Sequence, residues 1–193
     1  MFSLLIVYIV FCTLLTVPGC TLVGSESDII PISSNLIKNS SFEFVGKPSL
    51  QNWIVHPEGS PLVKISPGTT VGGGKYSIAL RDSGGMAPWV SQSVAVVPGT
   101  HAFQISFWFK GSYSNDGVMF VEHTRGDSIL YVYGRYVRSE GWTYYSHHDT
   151  ISCLYGDSVT FAFSPEVFHS DVNDENNTDV YFDLLKLEVI EGD

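Results

Sequence analysis

Between His101 and Lys110 apolar and polar positions alternate: Phe103, Ile105, Phe107 and Phe109 fall on one side, Gln104, Ser106, Trp108 and Lys110 on the other. Successive side chains of an extended chain point to opposite faces, so this pattern predicts a strand with one apolar face and one polar face that carries a large ring. Val118 to Thr124 and Ile129 to Val137 predict a hairpin turned by Arg125, Gly126 and Asp127. In its second arm Leu130 and Val132 alternate with Tyr131, Tyr133 and Arg135. Further strands are expected at Leu62 to Ile65, Tyr76 to Arg81, Val90 to Val97, Trp142 to Thr150, Ser158 to Phe163 and Val180 to Ile190. Pro67-Gly68, Gly72-Gly73-Gly74, Gly84-Gly85 and Pro98-Gly99 punctuate them. No stretch keeps a 3.6-residue period and no strands alternate with helices, which predicts an all-β sandwich or barrel almost free of helix. Neither an internal repeat nor a second domain is visible.

The N-terminus departs from this pattern. Met1 to Val17 holds no Lys, Arg, Asp or Glu, and the run ends at Pro18-Gly19-Cys20. It is shorter than the roughly 20 apolar residues that cross a bilayer. Residues 1–19 therefore read as an export signal, although no basic residue precedes the apolar run. Leu15 to Cys20 resembles a lipobox, in which a small residue, here Gly19, precedes the cysteine that takes the lipid. Cys20 would then anchor the protein to a membrane, and an ordinary cleavage site is the alternative. The expected setting is the cell envelope or surface, or otherwise secretion. Residues 20–33 are polar and small and read as a tether, leaving 34–191 for the domain. With Cys12 lost with the signal and Cys20 lipidated, Cys153 stands alone; an unmodified Cys20 would leave a bridge to Cys153 open.

Net charge is -10, with 20 acidic residues against 10 basic ones. Such a surface repels phosphate backbones, which argues against nucleic acid as a partner, and it suits solubility and cation binding. Asn39-Ser40-Ser41 and Asn176-Asn177-Thr178 are glycosylation acceptors in a eukaryotic host and carry no meaning in a bacterium.

Several segments, taken in order, point further. They are Asn35-Leu36-Ile37-Lys38-Asn39-Ser40-Ser41-Phe42-Glu43-Phe44 followed by Trp53; Gly74 to Leu80; Val90-Ser91-Gln92-Ser93-Val94 with Pro98-Gly99-Thr100; Ile105 to Gly111; Gly141-Trp142; and Asp179 to Leu187. This succession resembles the jelly-roll carbohydrate-binding modules found beside xylanases and glucanases, within the galactose-binding-domain-like group. The resemblance implies a two-sheet antiparallel β-sandwich and a polysaccharide or glycan as partner. It also implies a structural calcium ion between Glu43 and Asp183, with Lys75 near a position that gives a carbonyl ligand. Carboxylates with main-chain carbonyls are what calcium prefers. Exposed strand-end acids are the alternative. Asp171 to Glu175 lacks the glycine and closing glutamate of a calcium loop and reads as solvated.

Sugar binding requires flat rings against pyranose faces with polar groups beside them. Gln104, Trp108 and Lys110, Glu122, and Tyr131, Tyr133 and Arg135 would line one surface if their strands share a sheet. Trp89 and Tyr113, in Gly- and Pro-flanked segments, offer loop-tip alternatives, and Trp53 and Trp142 read as framework. Because Tyr and Trp favour strands for packing alone, a structural or adhesive envelope protein that contacts a protein partner is the second reading. Catalysis has weaker support. Glu122 with Glu140 or Asp149 is a conceivable carboxylate pair, but in a strand His147 and His148 of His147-His148-Asp149 point to opposite faces, and no nucleophile elbow, zinc helix or phosphate loop occurs.

Overall fold

The structure is a computed structural model and describes residues 35–68, 70, 74–83, 87–111, 116–166 and 179–190. Cys20, Tyr113, Asp171 to Glu175 and the second sequon lie outside the described residues. Twelve strands run through the described part: β1 (Glu43–Phe44), β2 (Lys47–Pro48), β3 (Ile54–His56), β4 (Val63–Pro67), β5 (Tyr76–Leu80), β6 (Trp89–Ala95), β7 (Gly99–Lys110), β8 (Asp116–Arg125), β9 (Ser128–Val137), β10 (Thr143–Cys153), β11 (Asp157–Glu166) and β12 (Val180–Ile190). No helix occurs among the described residues.

Ten of the strands form two five-stranded antiparallel sheets. Sheet I has the order β10-β7-β12-β5-β4 and sheet II the order β3-β6-β11-β8-β9, while β1 and β2 pair as a small ribbon. The fold is a two-sheet β-sandwich of jelly-roll type. The nine strands expected from alternation are all present, with ends displaced by at most three residues. β1, β2 and β3 have two or three residues each, too few for a period of two to register. Arg125 extends β8 opposite Ser128, so the hairpin turn narrows to Gly126-Asp127, where Gly126 takes a φ of 54° that glycine adopts without strain.

The core is built by alternation on both sheets. Phe103, Ile105, Phe107 and Phe109 from β7 and Phe182 from β12 meet Phe161 and Phe163 from β11 and Met119 and Val121 from β8, all essentially without exposure. The rings of Phe163 and Phe182 lie 4.7 Å apart across the two sheets, and Phe109 and Phe182 meet edge to face at 5.2 Å, an arrangement aromatic quadrupoles favour. Gly117 sits against this cluster. A Cβ there would come within 2.5 Å of the Phe109 ring and 2.7 Å of the Phe182 ring.

The N-terminal segment closes one end of the core. Asn35 bridges to Glu188, Leu36 N donates to Leu187 O at 2.8 Å, and Leu185 N donates to Ser40 O. Gln92, buried on the inward side of β6, clamps Lys38 with Lys38 N to Oε1 at 2.7 Å and Nε2 to Lys38 O at 3.0 Å, so a polar group in the core is satisfied. Trp53 packs on Phe42 and Phe163 at 5.4 Å each and donates through Nε1 to Asn39 O. It is framework, as expected. The Asn39 side-chain amide donates to Ser49 O and Gln51 O, so the first sequon is engaged in holding this loop.

Gly117→Ala forces rings in a packed core to move and should lower stability by about 1–3 kcal/mol. Gly141→Ala, where a Cβ meets nothing within 4 Å, should stay within about 0.5 kcal/mol of the parent. Denaturant midpoints of the two variants provide the check.

Candidate functional site

The surface expected from sequence does not form, because its strands belong to different sheets. β7 lies in sheet I, whereas β8 and β9 lie in sheet II. Gln104, Trp108 and Lys110 stand on the outer face of sheet I, where Trp108 is half-buried against Tyr144 at 5.6 Å and Lys110 sits over Tyr181. Trp142 is half-buried with its ring edge toward Tyr181. Glu122 stands on the outer face of sheet II.

Tyr131, Tyr133 and Arg135 point the other way. Met119 and Val121 face the core, and β9 pairs with β8 so that Val121 opposes Tyr133 and Met119 opposes Arg135; partners in a ladder share a face. These three side chains therefore meet the inward side of β10. Tyr131 Oη donates to Asp149, Tyr133 stacks on His147 at 3.9 Å and 2°, and the Arg135 guanidinium lies 5.6 Å over the Tyr145 ring. They form an inter-sheet seam. The hydrogen bond to Asp149 pushes the Tyr131 phenol up to about 12, and burial lowers the His147 imidazole.

The outer face of sheet II carries a different constellation. On β6 the outward side chains are Trp89, Ser91, Ser93 and Ala95; on β11 they are Ser158, Thr160, Ala162 and Ser164; on β8, Val118, Phe120, Glu122 and Thr124; on β9, Val132, Gly134 and Tyr136. β6 beyond Trp89 and β11 thus present a stripe of small side chains. Ser91 and Ala162 are only 6% and 7% exposed although they face outward, whereas Trp89 at one flank is 45% exposed and Tyr136 at the other is 58% exposed. Short side chains sunk between tall ones make a trough. Its two exposed rings stand three strand spacings apart, about 14 Å.

One face of Trp89 is covered by His56, whose ring stacks on it at 4.8 Å and 13°, with His56 Nε2 3.3 Å from Ser91 Oγ. Glu122, opposite Thr160 and Val132, and the hydroxyl pair Ser93–Thr160 at 2.6 Å put polar groups on the floor. Of the residues singled out in the sequence, Trp89 and Glu122 come together here. Phe120, Tyr136 and His56 were not singled out. The signal for them is the serine, threonine and alanine recurring at every second position of β6 and β11.

Glu43 and Asp183 also come together. Asp183 is completely buried, accepting from Leu184 N at 2.8 Å and Thr70 N at 3.4 Å. Glu43 accepts from Lys75 N and from Tyr76 N at 3.2 Å. The Lys75 carbonyl accepts from Gly68 N. Burial, with the Glu43 charge adding to it, raises the Asp183 carboxyl to about 6. Leu184 has a φ of 48° where β12 breaks register between Asp183 and Lys186. Two coupled carboxylates, one withdrawn from water, are a donor set that a hard, oxygen-seeking cation fits.

A second buried acid is satisfied differently. Asp157 binds Arg125 in a fork at 2.7 and 2.9 Å, His123 Nε2 at 2.8 Å and Leu154 N at 2.8 Å. The Arg125 hydrogen bonds hold it far below the usual carboxylate range. Cys153, a buried free cysteine beside it, has its thiol raised by burial. With its oxygens already occupied, Asp157 makes this His–Cys–Asp cluster a structural lock. The acids considered for catalysis are dispersed: Glu122 faces outward on sheet II, Asp149 inward on β10, and Glu140 sits in the exposed link between β9 and β10.

No protein-family model matches the chain. No curated protein matches it by sequence. Solved structures do match in fold. The module TmCBM61, solved in complex with β-1,4-galactotriose, superposes with a TM-score of 0.57 at 18% identity over 81% of this chain and 99% of that one. The family 16 carbohydrate-binding module-2 gives 0.55 at 24% identity over 79% and 99%. The CBM22-1 xylan-binding domain of Paenibacillus barcinonensis Xyn10C gives 0.55 at 15% identity over 83% and 97%. This chain has the fold of the jelly-roll carbohydrate-binding modules. At these identities the likeness is one of fold. The enzymatically active domain of bacteriophage CBA120 tailspike protein 4 also matches, at 0.59 and 16% identity over 81% of this chain, but the chain spans only 21% of that one.

Because folding raises the Asp183 pKa from its ordinary value near 3.9 to about 6, the folded state binds more protons than the unfolded one in that interval. Stability without added cation should therefore fall as pH rises from about 4 to 6, by about 2–3 kcal/mol. Melting curves across this range provide the measurement, and Asp183→Asn should flatten the slope.

Proposed function

We propose that this protein is a non-catalytic binder of a polysaccharide or glycan chain, which it takes along the outer face of sheet II. The observation that carries the reading is the trough itself: a floor of small hydroxyl-bearing side chains between the exposed rings of Trp89 and Tyr136. Pyranose rings offer an apolar face that stacks on such rings, and their hydroxyls pair with Glu122, Ser93, Thr160 and His56. The distance between the two rings leaves room for more than one sugar unit, which favours a chain over a monosaccharide. That the fold is shared with a galactotriose-bound module and a xylan-binding domain supports the ligand class. The scattering of Glu122, Glu140 and Asp149 supports binding without hydrolysis.

In this reading Glu43 and Asp183 would hold a calcium ion where the N-terminal segment meets β12. Calcium supplies charge compensation for the buried Asp183 carboxylate, and Glu43 and Asp183 would be its side-chain ligands. The apolar run at the N-terminus, closing on Gly19-Cys20, supports export and attachment at the cell surface, within reach of extracellular glycans.

Titration calorimetry and pull-down with insoluble xylan, galactan and β-glucan test the site. Trp89→Ala should weaken binding at least tenfold, about 1.4 kcal/mol or more, and Tyr136→Ala should weaken it by a similar amount, whereas Trp108→Ala should bind as the parent does. Loss in Trp108→Ala with retention in Trp89→Ala would place the site on sheet I and refute the assignment. For the ion, calcium should raise the melting temperature of the parent at pH 7 and leave Asp183→Asn unmoved; equal response of both proteins to calcium contradicts the proposed ligands.

A further inference from the structure

The two five-stranded sheets expose four edges, and three of them are guarded against pairing. β4 carries Lys64 and ends at Pro67. β3 has only three residues and runs into Pro57. β10 carries His147, His148 and Asp149. Charges, proline and shortness are the usual means by which an edge is kept from another chain. β9 has the fewest of them: Ser-Ile-Leu-Tyr-Val-Tyr-Gly-Arg-Tyr-Val contains no proline, no acid and one basic residue in ten positions, and its ladder is irregular only at Leu130, near one end. Ile129, Leu130, Tyr131 and Val132 are large, apolar and exposed along it, and no strand lies beyond it among the described residues. At about 3.4 Å per residue it offers roughly 34 Å of edge.

The geometry points to a second copy of this chain as the partner of that edge, with β9 pairing antiparallel to β9 across a two-fold axis at Tyr133. Side chains that keep to the same face must pair odd with odd and even with even, which this axis satisfies. It sets Val132 opposite Gly134 of the other copy and Tyr131 opposite Arg135, the regular stretch ending at the bulge at Leu130. The outward pair, Val132 with Gly134, is apolar. The only charge on the strand, Arg135, meets a tyrosine ring in place of its own copy, so no like charges oppose one another, the condition a self-complementary two-fold interface must meet. Gly134 sets no side chain of its own against Val132; the Phe120 ring of the same copy lies beside it, 3.4 Å from where a Cβ would stand. The dimer joins two copies of sheet II into one ten-stranded sheet. Its two outer troughs then lie side by side, which multiplies avidity for a repeating ligand; the pairing itself does not depend on sugar binding.

Sedimentation equilibrium of the purified protein tests this. The parent should show a concentration-dependent monomer–dimer equilibrium at concentrations up to about 0.1 mM, the range of weak specific association. Val132→Lys and, separately, Leu130→Lys place a cation on the exposed edge, and each should weaken dimerisation at least tenfold with an unchanged melting temperature. Lys64→Val on β4 serves as the control and should not alter it. A parent that stays monomeric throughout, or a dimer indifferent to both β9 lysines, overturns the proposal.

Discussion

The contact of Phe163 with Phe182, 4.7 Å across the sandwich, fixes more than the core. A strand has only two faces, so once Phe163 points inward, Ser164 and Ala162 must point out, and antiparallel registry carries that parity to β6 and β8 and from β8 to β9. The same holds from Phe182 through Phe109 and Phe107 of β7 to β10. Every surface described above follows from this single parity: the small-residue trough on one outer face, the Trp108 and Tyr144 pair on the other, and the seam of Tyr131, Tyr133 and Arg135 between β9 and β10.

Within a strand, that parity was legible in the sequence. Phe103, Ile105, Phe107 and Phe109 mark the inward side of β7 without ambiguity, and the alternation of Leu130 and Val132 with Tyr131 and Tyr133 identifies β9. Between strands it was not. Tyr133 and Trp108 each lie on the more polar side of an amphipathic strand, yet one side faces β10 and the other faces solvent, because β9 is an edge strand whose inward residues lie over the rim of the core. Rings and an arginine suffice there. Sheet membership is decided by pairings tens of residues apart, and local composition does not encode it. Trp89 and Glu122 were legible as candidates from residue type alone, whereas Phe120, Tyr136 and His56 gain meaning only beside the stripe of Ser91, Ala162 and Ser164.

Two buried aspartates illustrate how surroundings divide one residue type. Asp157 receives a guanidinium fork, an imidazole and an amide, and its carboxyl is driven far down. Asp183 receives amides and the Thr70 side chain, no cationic group, and has Glu43 as its charged neighbour, and burial drives its carboxyl up. The first is complete within the protein. The second has acceptors in excess of cations, which is the physical basis for the calcium proposal. Both stand where the chain must be held, Asp157 beside the β10–β11 turn and Asp183 where the N-terminal segment meets β12.

The central claim is that ligand lies on the outer face of sheet II. Its most direct test is to follow the four tryptophan indole N–H resonances by NMR during titration with xylan, galactan and β-glucan oligosaccharides. The account predicts that the Trp89 signal moves saturably with at least one ligand, while Trp53, bonded to Asn39 within the fold, and Trp108 and Trp142 on sheet I stay in place. Movement of Trp108 with Trp89 fixed would put the ligand on the opposite face and contradict the account.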